Sequence, residues 1–230
     1  VKLIESIFLT FKNICLSEVI KVYECYLFGN TRWWWKLNYY HSVLYLSDTR
    51  YRIVLRERKK QGPYSLVNYT SGETPLITIM RIFQGINSGD TLPFIDLGSG
   101  RGYAIFGASL LFNCPTVGVE ILPGYVKKCE IMREKLGIEN MEIYSCDMLS
   151  MPINRRGIYY CAATALDITL LEALEQKLAE APSGSWVVMV HHPLTSSRFQ
   201  KAYKGEEILP FTWGWDTVYV YKIEDPPPEV

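Results

Sequence analysis

The chain has 230 residues, 48% of them apolar and 21% charged, with 24 basic and 24 acidic side chains. That composition excludes a disordered chain and supplies enough apolar surface for one core, or one core plus a small appendage. Zero net charge excludes a global electrostatic pull toward nucleic acid or membrane, although residues 1–90 hold 12 Lys and Arg against 7 Asp and Glu while residues 91–230 hold 12 against 17.

In chain order, Ile4, Ile7, Phe8, Phe11, Ile14, Cys15, Val19 and Val22 recur near a 3.6-residue period. This predicts one or two amphipathic helices over residues 2–28, broken at Gly29-Asn30. Glu5, Lys12, Glu18, Lys21 and Glu24 interrupt this stretch, so it is not a bilayer span. Trp33-Trp34-Trp35 with Tyr39, Tyr40 and Tyr45 reads as helix packing onto the main domain, with a membrane-interface anchor as the alternative. Arg50 to Lys60 is strongly basic and reads as a solvated helix face ending near Gly62-Pro63. We place a domain boundary there, with a helical N-terminal extension over 1–63 and the main domain over 64–230. A helix is expected over Leu76–Ile86, with Pro75 near its start.

From Leu92 the pattern changes to short apolar runs alternating with amphipathic segments. Strands are expected at Phe94–Leu97, Thr116–Ile121, Met141–Cys146, Ile158–Ala163, Trp186–His191 and Thr217–Ile223. Helices are expected at Tyr103–Phe112, Tyr125–Leu136 and Leu166–Ala181. This alternation predicts an α/β fold with a doubly wound, mostly parallel sheet covered on both faces. The proline-rich tail from Asp225 is expected to fray. The six cysteines form no C-x-x-C pair and His is scarce, so no metal site is expected and the compartment reads as reducing, hence cytoplasmic.

The segment that carries chemistry is Phe94-Ile95-Asp96-Leu97-Gly98-Ser99-Gly100-Arg101-Gly102. An apolar strand delivers an acid, then glycines at alternate positions, then a helix whose first N–H groups are unsatisfied. Position 103 is Tyr, so the dinucleotide spacing G-x-G-x-x-G is not met. A second acid, Glu120, ends the next strand, where a carboxylate can accept both hydroxyls of a ribose. His191-His192 reads as structure, because adjacent strand residues point to opposite faces.

Asp96-Leu97-Gly98-Ser99-Gly100-Arg101-Gly102, Val117-Gly118-Val119-Glu120-Ile121 and Cys146-Asp147-Met148 together resemble the class I S-adenosylmethionine-dependent methyltransferases, over roughly residues 70–224. The resemblance implies a seven-stranded sheet, S-adenosylmethionine as cofactor, and a cofactor site of Asp96, Gly98, Ser99, Gly100, Gly102, Tyr103, Glu120, Ile121, Asp147 and Met148. Asp147 would pair with the adenine amine. The phrases DLGSGRG and VGVE look like the seven-strand protein-lysine methyltransferases, as do Ser71-Gly72-Glu73-Thr74-Pro75 and the closing hairpin Trp213–Tyr221. That likeness implies that Glu73 and Thr74 close over the methionine end of the cofactor, with Thr164 near the methyl group and Tyr69 lining the site. The fourth strand lacks the Asn/Asp-Pro-Pro-aromatic motif, which argues against amino methylation of adenine, cytosine or glutamine. It also lacks the Asn found there in the histone enzymes, which counts against a histone substrate.

Methyl transfer from a sulfonium needs mainly alignment and a neutral nucleophile, so no acid/base pair is required of the sequence. The expected partner is a protein or small-molecule methyl acceptor, a lysine side chain first. The alternatives are a lipid or small-molecule enzyme whose N-terminal extension touches a membrane peripherally, and a non-catalytic cofactor-binding module. Nucleic acid is disfavoured by the acidic charge of residues 91–230.

Overall fold

The computed structural model describes residues 2–46, 48–57, 66–69, 72–86 and 90–224. Arg58 to Lys60, the Gly62-Pro63 break with the boundary placed there, Ser71 and the tail from Asp225 lie outside the described residues.

Three helices come first: α1 (Lys2–Phe28), α2 (Arg32–Leu46) and α3 (Arg50–Glu57). After α4 (Leu76–Gly85) the chain alternates β1 (Phe94–Leu97), α5 (Tyr103–Phe112), β2 (Thr116–Glu120), α6 (Pro123–Leu136), β3 (Met141–Ser145), β4 (Ile158–Ala162), α7 (Ile168–Leu178) and β5 (Trp186–Val190). A hairpin of β6 (Phe199–Phe211) and β7 (Gly214–Ile223) closes the fold. The seven strands run in the order β3-β2-β1-β4-β5-β7-β6, with β1 to β5 parallel and β7 antiparallel to both neighbours.

Local chemistry explains the boundaries. α6 begins on Pro123, whose missing N–H is harmless in a first turn, and ends where Gly137 takes φ 70°. α7 starts at Ile168 and not at Leu166, because the Asp167 side chain accepts from Leu170 N at 3.0 Å and caps it. β1, β2 and β5 are buried along their whole length, as expected of strands covered on both faces. The hairpin is longer than the sequence implied. β6 carries Lys201, Glu206, Glu207 and Pro210, a polar edge strand without apolar alternation.

The sheet separates two apolar layers. One packs Phe94, Tyr160, Val188 and Val220 against Leu76, Ile79 and Phe106, and takes in Phe28, Trp34 and Leu37 from the N-terminal helices. The other packs Ile95, Val119, Tyr159 and Val187 against Leu174 and Leu178 of α7. A smaller cluster joins Tyr45, Ile53 and Val54 to Leu122 and Tyr125. Trp34 and Tyr45 therefore belong to the core, as the packing reading predicts, while Trp35 and Tyr39 are exposed. No described helix is long and apolar enough to cross a membrane.

Candidate functional site

β1 and β4 are neighbours, and the chain leaves them for opposite sides of the sheet. Beyond their carboxyl ends lies the crevice where ligands of doubly wound folds bind. The glycine loop forms its floor. Gly98 N and Ser99 N both donate to Val119 O at 2.9 Å, tying the loop to the end of β2. Gly98 has φ 91°, and a Cβ there would meet no atom within 4 Å, so its backbone borders open space. Gly102 differs: at φ 81°, a Cβ would lie 2.8 Å from Cys129 Sγ and 2.9 Å from the Phe106 ring. It allows α5 to pack on α6 and does not face the crevice.

Glu120, at the end of β2, is buried, and both its oxygens are engaged. Oε2 accepts from Gly100 N at 2.7 Å and Oε1 from Leu122 N at 2.8 Å. Burial pushes its carboxyl up to about 7 despite these bonds. Each oxygen keeps a further lone pair, so the side chain can brace the loop and still accept two hydroxyls of a ribose. Beside it opens a cleft with Leu97, Ile121, Leu122, Met148 and Leu166 on its walls. Asp147, Asn68 and the buried Tyr69 supply the polar groups. An apolar slot with a carboxylate at each end fits an adenosine. Asp147 also caps a short turn, accepting from Leu149 N at 2.9 Å.

A second, polar compartment shares Gly98, Gly100 and Ala162 with the first. Its walls include Glu73, Thr74, Asp96, Arg101, Tyr160 and Trp213, with Thr164, Ser99 and Tyr103 also lining it. Asp96 is 3% exposed, and among the described residues no donor hydrogen-bonds to it. Burial, reinforced by Glu120, pushes its carboxyl up to about 8. An orphaned buried carboxyl facing a cavity suits a cationic ligand group, such as the ammonium or sulfonium of the expected cofactor.

Glu73 has the opposite environment. Its Oε1 lies 2.8 Å from His41 Nε2 and pairs with Arg101 Nη2. Burial alone would raise its carboxyl, but His41 and Arg101 outweigh burial and hold it at about 2. Arg101 in turn lies over the Tyr45 ring, 5.2 Å from its centroid. The Glu73 backbone is pinned to the β6–β7 turn: its N–H donates to Thr212 Oγ1 at 2.8 Å, and Thr212 N donates to Glu73 O at 3.3 Å. Thr74 Oγ1 and Tyr160 OH share a hydrogen bond of 2.6 Å.

The structure thus gathers Glu73, Thr74, Asp96, Ser99, Tyr103 and Thr164 around one compartment, and Glu120, Ile121, Asp147 and Met148 around the other; Gly98 and Gly100 line both. The Tyr103 hydroxyl points away, toward Glu24 and Asn38, 3.3 Å from each. Arg101 and Trp213 lie inside the motif segments without being given a role there, and His41, Asn68 and Tyr160 stand in no recognisable spacing; all five line the two compartments or hold a residue that does. His191 and His192 do not stand on opposite faces of a strand. β5 ends at Val190, His191 turns at φ 79°, and the two rings meet edge to face at 4.6 Å. No metal-binding cluster occurs among the described residues.

Residues 88–181 match a family model described as a methyltransferase domain. No curated protein matches the chain. Among solved structures, an RNA methyltransferase from Salinibacter ruber in complex with S-adenosyl-L-homocysteine is similar at 24% identity and TM-score 0.53, covering 69% of this chain and 97% of that one. TrmN from Thermus thermophilus is similar at 10% identity and TM-score 0.54, covering 65% of this chain and 49% of that one. The chain carries the class I S-adenosylmethionine-dependent methyltransferase fold, and residues 88–181 are the part of it that matches the methyltransferase-domain model.

Proposed function

We propose that this chain transfers the methyl group of S-adenosylmethionine to an amine of an acceptor protein, a lysine side chain. Bound in the crevice, the cofactor supplies a sulfonium methyl with a neutral thioether as leaving group. Glu120 would hold the ribose hydroxyls, and Asp147 with the apolar slot would hold the adenine. Asp96, Glu73 and Thr74 would surround the methionine end. Thr164, Tyr160 and Trp213 would border the acceptor.

The observation that carries the choice of acceptor is the character of the polar compartment. It presents three aromatic residues, Tyr103, Tyr160 and Trp213, beside the two carboxyls, and among the described residues its one cation, Arg101, is already paired with Glu73. Aromatic faces favour an alkylammonium, and among the described residues the compartment offers no unpaired cation to hold a phosphate backbone. The likeness of the Gly72-Glu73-Thr74-Pro75 and DLGSGRG segments to protein-lysine enzymes points the same way.

The test is transfer of radiolabelled methyl from S-adenosylmethionine into separated protein, RNA, lipid and small-molecule fractions of a cell extract. Label in the protein fraction that hydrolyses to methyllysine is the expected result. Label confined to RNA, the substrate class of the Salinibacter neighbour, or to lipid would overturn the amine assignment.

A further inference from the structure

His191 has a backbone that its position does not explain. It follows the last residue of β5 with φ 79°, in the left-handed region. Among the described non-glycine residues only Asn113 shares that region, and Asn113 closes the end of α5, where the conformation is routine. His191 closes no helix. Side chains held in such conformations persist where the surroundings over-determine them, and they concentrate at functional sites.

What determines His191 is Asp216. His191 N donates to Thr217 O at 2.8 Å, and His191 Nδ1 lies 2.9 Å from Asp216 Oδ1. The same Asp216 oxygen accepts from Thr217 N at 2.9 Å, and Oδ2 accepts from Trp213 Nε1 at 3.1 Å. The Asp216 side chain is 11% exposed and the His191 side chain 51%. A carboxylate fixed by other donors holds Nδ1 as the N–H tautomer and leaves Nε2 as the basic nitrogen of a half-exposed ring.

Neither His191 nor Asp216 lines the acceptor compartment, but Asp216 holds one of its walls through Trp213 Nε1. Trp213 is packed so closely on Gly72 that a Cβ there would clash with the indole. Asp216 stands near enough to Tyr160, another wall, that its charge adds to burial in keeping that phenol protonated. Val190 pairs with Ala162, a third wall residue, so His191 leaves the sheet beside the turn that carries Thr164.

We propose that His191, positioned by Asp216, removes the proton from the acceptor ammonium before methyl transfer; this rests on the amine reading above. The ammonium N–H bond breaks and the proton goes to Nε2. The freed nitrogen lone pair then forms the N–CH3 bond as the C–S bond breaks, with the electron pair left on sulfur. The imidazolium returns its proton to solvent through its exposed edge. The titratable groups in contact with His191 are Asp216 and His192, while Glu73, Asp96 and Tyr160 line the compartment itself.

His191→Gly is the informative variant, because glycine adopts φ 79° freely. The expected result is an unfolding midpoint at or above wild type, S-adenosylhomocysteine affinity within twofold, and kcat toward the methyllysine-forming acceptor lowered at least tenfold at pH 7. Added imidazole should restore most of the rate, and the acid limb of the kcat–pH profile should vanish. A kcat within twofold of wild type, or an unchanged acid limb, overturns the role of His191 and leaves the amine reading standing. If wild type labels RNA or lipid and no amine, both fall together.

Discussion

Asp96 and Glu120 end adjacent strands, and burial holds both carboxyls above the ordinary range. For Asp96, raised from 3.8 to about 8, the folded chain keeps a proton that the unfolded chain has lost. Its favourable contribution is complete below the unfolded value and drains away as pH rises toward 8, at about 1.4 kcal/mol per unit. Asp96→Asn should therefore leave stability unchanged near pH 4 and raise it at pH 8, which thermal unfolding at the two pH values measures. The same variant should bind S-adenosylmethionine more weakly, since an ammonium or sulfonium beside Asp96 is what would offset its charge. Glu120→Ala removes the acceptors for a ribose diol and unbraces Gly100 and Leu122. Losing two charge-assisted bonds of about 1.5 kcal/mol or more each predicts at least about a 100-fold loss of cofactor affinity by calorimetry.

Between elements, the polar bonds of Glu24 and Glu73 join the N-terminal helices to the cleft. Glu24, 1% exposed on α1, accepts from Leu76 N at 2.5 Å and Ile77 N at 3.4 Å, and so caps α4 from 52 residues away. Pro75, at the cap position itself, has no side-chain acceptor to offer. Glu24→Ala should destabilise by about 1–2 kcal/mol, whereas Glu24→Gln keeps an acceptor and should be neutral or stabilising above pH 7, because burial lifts the Glu24 carboxyl to about 7. Urea unfolding of both variants at pH 8 separates capping from charge. Glu73 runs the other way: its carboxyl is held at about 2, so its contribution is present above 4.5 and lost as pH falls toward 2. Glu73→Gln leaves the Arg101 guanidinium without its counter-charge and should cost about 3 kcal/mol at pH 7, with the acid sensitivity between pH 4.5 and 2 reduced. These bonds mark the limit of what the sequence shows. β1, β2, β4 and β5 are legible because strands buried on both faces must be apolar runs, and the Asp96–Glu120 cradle is legible because it lies at strand ends around a glycine loop. Glu24, His41 and Asn68 are not, because each acts through a partner remote in sequence. β6 is not, because an edge strand tolerates the Lys, Glu and Pro that a central strand excludes.

At the scale of the whole molecule, the question is whether the N-terminal helices are an appendage or part of the domain. Phe28, Trp34 and Leu37 are buried within the main apolar layer, and Tyr45 within the cluster against α6. Burial of such side chains stabilises by about 1.5–3 kcal/mol each, so these four alone carry about 6–12 kcal/mol, as much as the entire net stability of an ordinary domain. The same helices supply the Glu24 cap, the His41 partner of Glu73 and the Tyr45 ring under Arg101. Their outward faces remain apolar at Val19, Val22, Tyr26, Tyr39 and Leu46. A chain beginning at residue 47 should therefore lose cooperative unfolding and cofactor binding together. Circular dichroism melts and calorimetry with S-adenosylhomocysteine read both. A truncated chain that melted sharply and bound the cofactor with near wild-type affinity would show the extension to be a separable cap. Glu73 and Arg101 would then have to keep their geometry without His41 and Tyr45, and the compartment they line would owe nothing to the first 46 residues.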